Sequence, residues 1–172
     1  MDYTLEFIHC IPNFDLIKTM FWNKNVVMPT YNKRGLLKFF DLEEEVENLL
    51  VERMQERSYH KGDVIVREGE AGNSIYFVAS GSLMVLKNNN DGQQVVISKM
   101  ISGDFFGEMS LLSNKPRSAT VIAIEDSLLF EIERKRSFIF LISSTPNLMT
   151  ALKEACLKRI ENDKTKLGID AT

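Results

Sequence analysis

The residues with the most chemical content lie in the run Phe106-Gly107-Glu108-Met109-Ser110-Leu111-Leu112 and, after a one-residue gap, Asn114-Lys115-Pro116-Arg117-Ser118-Ala119-Thr120-Val121. Gly107 lets the backbone approach an anion closely, because it has no Cβ to hold the anion off. It opens a predicted short helical turn, whose first N–H groups lack intrahelical partners and carry partial positive charge. Arg117 can add a bidentate, charge-assisted pair to phosphate oxygens. Glu108 would repel a phosphate that it faced, so it makes better sense as an acceptor for sugar hydroxyls. An anion site beside a hydroxyl acceptor selects a sugar phosphate or nucleotide. On residue types alone a second reading stays open, in which Glu108 and Arg117 pair only as a structural salt bridge.

Other chemistries find little support. The chain has two histidines, His9 and His60, far apart and without metal-ligand spacing. No G-x-S-x-G or P-loop occurs. Ser110 lies near Glu108 with no histidine in a triad pattern. The expectation is therefore a chain that is not an enzyme and has neither metal nor cofactor. A formal net charge of −3 and a pI near 5.5 argue against a broad nucleic-acid surface. The short basic run Arg134-Lys135-Arg136 reads as a solvated helix start. Residues 138–142 form a dense apolar stretch far shorter than the roughly 20 residues a spanning helix needs. Asp2 and Glu6, with no basic region, make the N-terminus a poor signal peptide. Cys10 and Cys156 form no C-x-x-C and read as thiols of a reducing compartment, which implies a cytoplasmic location.

The elements that must position segment 106–121 follow from periodicity. Residues 1–35 read as an N-terminal extension: Phe14, Ile17, Met20 and Phe21 could line a short helix, and Pro29, Asn32 and Gly35 mark a connector. A helix is predicted from Asp41, capped by Asp41 with Glu44 three residues on. Leu42, Val46, Leu49, Leu50 and Met54 give it one apolar face. Short β-rich runs follow at 63–67, 74–79, 82–87, 93–100, 119–123 and 127–132, separated by glycine turns. Many short strands at near-regular spacing indicate an antiparallel sandwich, roll or barrel. Helical spacing returns after Arg134, with Phe138, Ile139, Leu141 and Ile142. A second helix starts at Thr145-Pro146 and carries the stripe Leu148, Leu152, Ala155, Cys156 and Ile160. The fold class is mainly β with flanking helices (α+β).

Segment 106–121 resembles the phosphate-binding cassette of the cyclic-nucleotide-binding domain family. That cassette reads F-G-E, an apolar residue, a small residue, L, then a loop, R, a small residue, A, a small residue and V. Every slot is filled here. Gly62, Gly69, Gly72, Gly81, Gly103 and Gly107 also fall where the family turns its β-roll, and the resemblance spans about residues 36–160. It implies an antiparallel β-roll or jelly-roll with an N-terminal helix and C-terminal helices. The domain would run over 36–162, with 163–172 as a flexible tail. The family's residue roles imply that Glu108 accepts from the ribose 2′-hydroxyl and that Arg117 pairs with the cyclic phosphate. Met109 lies within the cassette, and backbone N–H groups of Gly107 and Ser110 point at the ligand. Ser118 and Ala119 close the phosphate loop, and Met100 helps wall the base.

The ligand implied is cAMP, with cGMP as the second choice because a hydroxyl at Ser118 could reach the guanine amino group. The resemblance further implies a regulatory module that repacks its C-terminal helices on binding. Its effector or partner is unknown, a homodimer stays open, and neither nucleic-acid binding nor membrane insertion is expected. About a dozen residues follow Ile160, too few for a DNA-binding helix-turn-helix. The alternative is a structural or interaction domain of the same fold that binds no nucleotide.

Overall fold

Residues 74–80, Ser-Ile-Tyr-Phe-Val-Ala-Ser, carry no charged side chain, and a strand of this kind needs apolar cover on both faces. The structure, a computed structural model that describes residues 30–113 and 115–166, supplies it. The predicted apolar face at Phe14, Ile17, Met20 and Phe21 lies outside the described residues, as do His9 and Cys10.

In chain order the elements are helix α1 (Lys33–Leu37), a 3-10 turn (Lys38–Phe40), helix α2 (Glu44–Arg53) and strands β1 (Gln55–Tyr59), β2 (Val64–Val66), β3 (Ser74–Ser80), β4 (Ser82–Asn88), β5 (Gln94–Ile101) and β6 (Phe105–Phe106). Helix α3 (Glu108–Ser113), strands β7 (Thr120–Ala123) and β8 (Ser127–Glu133), and helices α4 (Arg136–Ser144) and α5 (Pro146–Lys166) complete it. The strands form two antiparallel four-stranded sheets, ordered β1-β8-β3-β6 and β2-β7-β4-β5.

Successive strand side chains point to opposite faces, so β3 serves two cores. Ile75, Phe77 and Ala79 join Phe130 and Ile132 of β8 against Leu36, Leu37, Leu50, Phe138, Ile142, Leu148 and Leu152 of the helices. Tyr76 and Val78 face the other way, into the space between the sheets, with Leu83, Val85, Ile97, Met100, Val121 and Leu129. The dipeptide of β6 divides in the same manner. Phe105 packs with Phe77 and Phe40, and Phe106 stacks on Tyr76 with centroids 5.0 Å apart.

Four features differ from the sequence expectation. Asp41 does not cap α2; it takes a left-handed conformation (φ 47°) at the end of the 3-10 turn, and Glu43 precedes the first helical residue. Aspartate tolerates that region better than most residues, and the acids Glu44, Glu45 and Glu47 of the first turn suit the positive end of the helix. Strand β1 escaped notice because Gln-Glu-Arg-Ser-Tyr has almost no apolar content; it pairs only with β8, at the sheet edge. Helix α1 begins inside the expected connector, and Tyr31 N donates to Ala79 O at 2.9 Å, which ties this stretch to β3. Helix α5 continues to Lys166, past the expected start of the tail at 163.

The stripe on α5 is enclosed at its start and exposed at Ile160. Leu148 and Leu152 are enclosed, whereas Ile160 and its neighbour Leu157 are exposed. No helix among the described residues is long and apolar enough to cross a membrane. Leu152→Ala should lower unfolding free energy by about 2–5 kcal/mol; Leu157→Ala, 66% exposed, should change it by less than about 0.5 kcal/mol. Urea denaturation of both variants checks the difference, and equal losses would contradict the observed docking of α5.

Candidate functional site

Segment 106–121 leaves the sheet, turns through α3 and returns as β7. Its departure depends on Gly107, which has φ 92°. A Cβ there would collide with the carbonyl oxygen of Ser74 and come within 2.6 Å of Arg117 Nη1. Glycine is therefore required for two reasons, one conformational and one steric. Stacking of Phe106 on Tyr76 holds the preceding residue in place.

Arg117 is anchored from both sides. Its backbone N–H donates to Glu70 O at 2.8 Å, and its carbonyl accepts from Gly69 N at 2.9 Å. The side chain then runs inward and is 8% exposed. Nη1 donates to Ser74 O at 2.8 Å and to Ser110 Oγ at 3.0 Å, while Ser110 Oγ donates to Gly107 O at 2.9 Å. The guanidinium lies 5.6 Å from the centroid of the Tyr76 ring, a cation–π contact. Burial pulls the pKa of Arg117 below its ordinary value, and the negative potentials of Tyr76, Glu131, Glu108 and Glu70 oppose that shift.

These residues line one cleft that is open to solvent. All eight residues named from the sequence reach it: Met100, Gly107, Glu108, Met109, Ser110, Arg117, Ser118 and Ala119. Glu108, at the first position of α3, is 1% exposed. Ser118 Oγ donates to Met109 Sδ at 3.3 Å, a weak bond to a soft acceptor. The apolar wall comes from Val66, Val85, Ile97, Met100, Phe106 and Val121. A buried cation and a buried carboxylate beside an apolar wall can hold an anionic, hydroxyl-bearing ligand. Among the described residues no group of three or more His, Cys, Asp or Glu side chains could hold a metal ion.

The sequence reading missed the residues that hold Arg117. Gly72, taken only as a turn glycine, is the clearest. A Cβ there would lie 2.6 Å from both Arg117 Nε and Ser110 Oγ. Its φ is not positive, so only the packing reveals the constraint. Glu131 is the second omission. It accepts from Ser74 Oγ at 2.7 Å and Tyr76 OH at 2.9 Å on Oε1, and from Arg57 Nε at 2.7 Å on Oε2. Burial alone would raise the Glu131 pKa, but the bonds from Ser74, Arg57 and Tyr76 and the Arg57 charge outweigh it and hold the carboxyl below its usual range. Burial, together with the charge and hydrogen bond of Glu131, pushes Tyr76 up to about 12. One available signal was Glu131 itself, a charge at an inward-facing position of β8 between Phe130 and Ile132.

Comparison with known proteins points the same way. A family model described as "Cyclic nucleotide-binding domain" matches residues 56–144. The cAMP-dependent protein kinase regulatory subunit of Debaryomyces hansenii is 43% identical over an alignment of 106 positions that covers 56% of this chain and 22% of that protein. The crystal structure of Thermus thermophilus catabolite activator protein superposes with a TM-score of 0.65 at 30% identity, covering 78% of this chain and 62% of that one. A regulatory subunit of a cAMP-independent protein kinase A from Trypanosoma brucei gives a TM-score of 0.67 at 25% identity, covering 77% of this chain and 47% of that one. The chain thus spans less than two thirds of each of these relatives.

The depressed Glu131 pKa has a consequence for stability. The contribution is complete above the ordinary carboxyl pKa near 4.5 and is lost as pH falls through the lower native value. Glu131→Gln should remove this part of the acid slope, so that its stability falls less steeply below pH 4.5 than that of the unaltered chain. Urea denaturation across the acid range measures both slopes. Equal slopes would mean that Glu131 titrates normally in the native state.

Proposed function

The chain belongs to the cyclic nucleotide-binding domain family, and on that premise we propose that it is a regulatory module that binds cAMP through segment 106–121 and signals by repacking its C-terminal helices. The observation that carries this is the Arg117 guanidinium, buried in the cleft and held through Nη1 by two neutral oxygens. Neutral acceptors fix its position without cancelling its charge, which stays available to a phosphate. In this reading Arg117 pairs with the cyclic phosphate, backbone N–H groups of Gly107 and Ser110 assist it, and Glu108 accepts from the ribose 2′-hydroxyl. Met109, Ser118 and Ala119 close over the phosphate, and Met100 lies against the base. The unit takes in residues 36–162 and is regulatory rather than catalytic. It works in the cytoplasm, on a partner or effector segment that its chemistry does not name.

The cAMP-dependent kinase subunit among the relatives supports cAMP as ligand. The neighbour described as cAMP-independent makes the alternative concrete: the same fold serving without that nucleotide. Ser118 bears on the choice of base. Its hydroxyl rests on a thioether sulfur, so turning it to a guanine amino group forfeits little.

Isothermal titration with cAMP and cGMP tests the proposal, and the absence of heat with both at sub-millimolar concentration would reject it. Arg117→Ala should cost about 2–5 kcal/mol of binding free energy. Glu108→Ala should cost less, about 1.5–3 kcal/mol. Ser118→Ala should lower cGMP affinity selectively, by about 1 kcal/mol; equal effects on both nucleotides would reject the guanine contact.

A further inference from the structure

We propose that Glu131 is a positioning residue for Arg117, acting through Ser74 and Tyr76, and that Arg57 on the edge strand completes this support. The inference rests on the proposed ligand-binding role of Arg117.

The register of the first sheet dictates the arrangement. Tyr76 of β3 stands directly opposite Glu131 of β8, and Ser74 stands opposite Glu133. Residues two apart share a face, so Ser74, Tyr76 and Glu131 project from the same side of the sheet. On the other flank Gln55 is opposite Glu131 and Arg57 opposite Leu129, which brings Arg57 diagonally beside Glu131. One carboxylate oxygen thereby accepts from two β3 side chains, and the other accepts from Arg57.

Both β3 side chains belong to residues that also hold Arg117. The carbonyl of Ser74 accepts from Arg117 Nη1, and the ring of Tyr76 lies under the guanidinium. The phenol bond to Glu131 fixes the tilt of that ring. The hydroxyl bond fixes Ser74 at the start of β3, where Gly107 allows no slack. Glu131 is 9% exposed and is absent from the residues lining the cleft, so its influence on a ligand must pass through these intermediaries. Buried hydrogen-bonded groups of this kind are strongly coupled.

The test is a mutant cycle on the full 172-residue chain, with cAMP titrated against each variant. Glu131→Gln keeps the shape and an acceptor oxygen but loses the charge, and should weaken cAMP binding about tenfold. Tyr76→Phe keeps the ring and removes only its donor, and should weaken binding about threefold, which keeps the inference testable should Glu131→Gln fold poorly. In an Arg117→Lys background, which cannot reproduce the planar fork, the Glu131→Gln effect should shrink to less than about twofold. A purely structural role would instead cost the same factor in both backgrounds, and that result would overturn the inference. Without ligand, the Arg117 Nε–H NMR resonance should move in Glu131→Gln and in Tyr76→Phe; an unmoved resonance in both would also overturn it. Failure of the unaltered chain to bind either nucleotide would overturn the functional proposal together with this one. Normal binding with both variants unaffected would overturn this inference alone.

Discussion

A guanidinium taken out of water must be surrounded by acceptors, and the cleft is organised around meeting that demand for Arg117. Desolvating a cation costs several kcal/mol unless hydrogen bonds and opposing potentials compensate. Here the compensation is distributed. Two neutral oxygens accept from Nη1, an aromatic face lies beneath the plane, and carboxylates at positions 70, 108 and 131 contribute negative potential. Distribution has a structural consequence. The guanidinium keeps its charge while its position is fixed by residues from β3, α3 and the turn at Gly69. That is why Gly72 and Gly107 admit no side chain: each stands where a Cβ would displace the arginine or its serine partner.

The two-faced strand β3 makes this possible. Its odd-numbered residues Ile75, Phe77 and Ala79 belong to the core under the helices. Its even-numbered Tyr76 and Val78 belong to the core between the sheets. A one-residue slip in the β3–β8 register would turn Tyr76 away from Arg117 and bury Phe77 in its place. The hydrogen bonds of Glu131 to Ser74 and Tyr76 oppose such a slip, since they exist in only one register. A polar network thus specifies the pairing that the apolar pattern alone leaves ambiguous, because apolar residues occupy both faces.

How much of this could be read in advance depends on whether a residue's role is local. Segment 106–121 was legible because its glycine, carboxylate, serine and arginine are close in sequence and their spacing is the signal. All eight residues read from it and from its surroundings line the cleft. The strongly apolar strands β3, β4, β5, β7 and β8 were legible for the same reason, with ends shifted by one residue or so. Strand β1 was not, because a polar edge strand has no periodicity to detect. The cap on α2 was misplaced because Asp41 satisfies the local capping pattern, and only the tertiary packing of the 3-10 turn sends it to positive φ. Ser74, Tyr76, Arg57 and Glu131 eluded the reading since their partnership spans up to 74 residues of chain. No short-range rule links them.

The Phe105–Phe106 pair shows how events in the cleft can reach the helices. Adjacent residues on a strand face opposite cores, so on the proposed reading a displacement of Phe106 and Gly107 toward a ligand would be felt by Phe105 beside the helical core. Phe105 packs on Phe40 of the 3-10 turn and on Phe77, and helices α4 and α5 close the same core through Phe138, Ile142, Leu148 and Leu152. Close-packed aromatic contacts repack between discrete arrangements rather than deform smoothly. A ligand can bias such a repacking only by binding one arrangement more tightly than the other. On the proposed reading, the difference resides in segment 106–121, whose pull on a buried phosphate is transmitted by a dipeptide with one ring in each core. Leu157 and Ile160 of α5 are exposed, so on the same reading their surroundings can change without dismantling the buried Leu148 and Leu152.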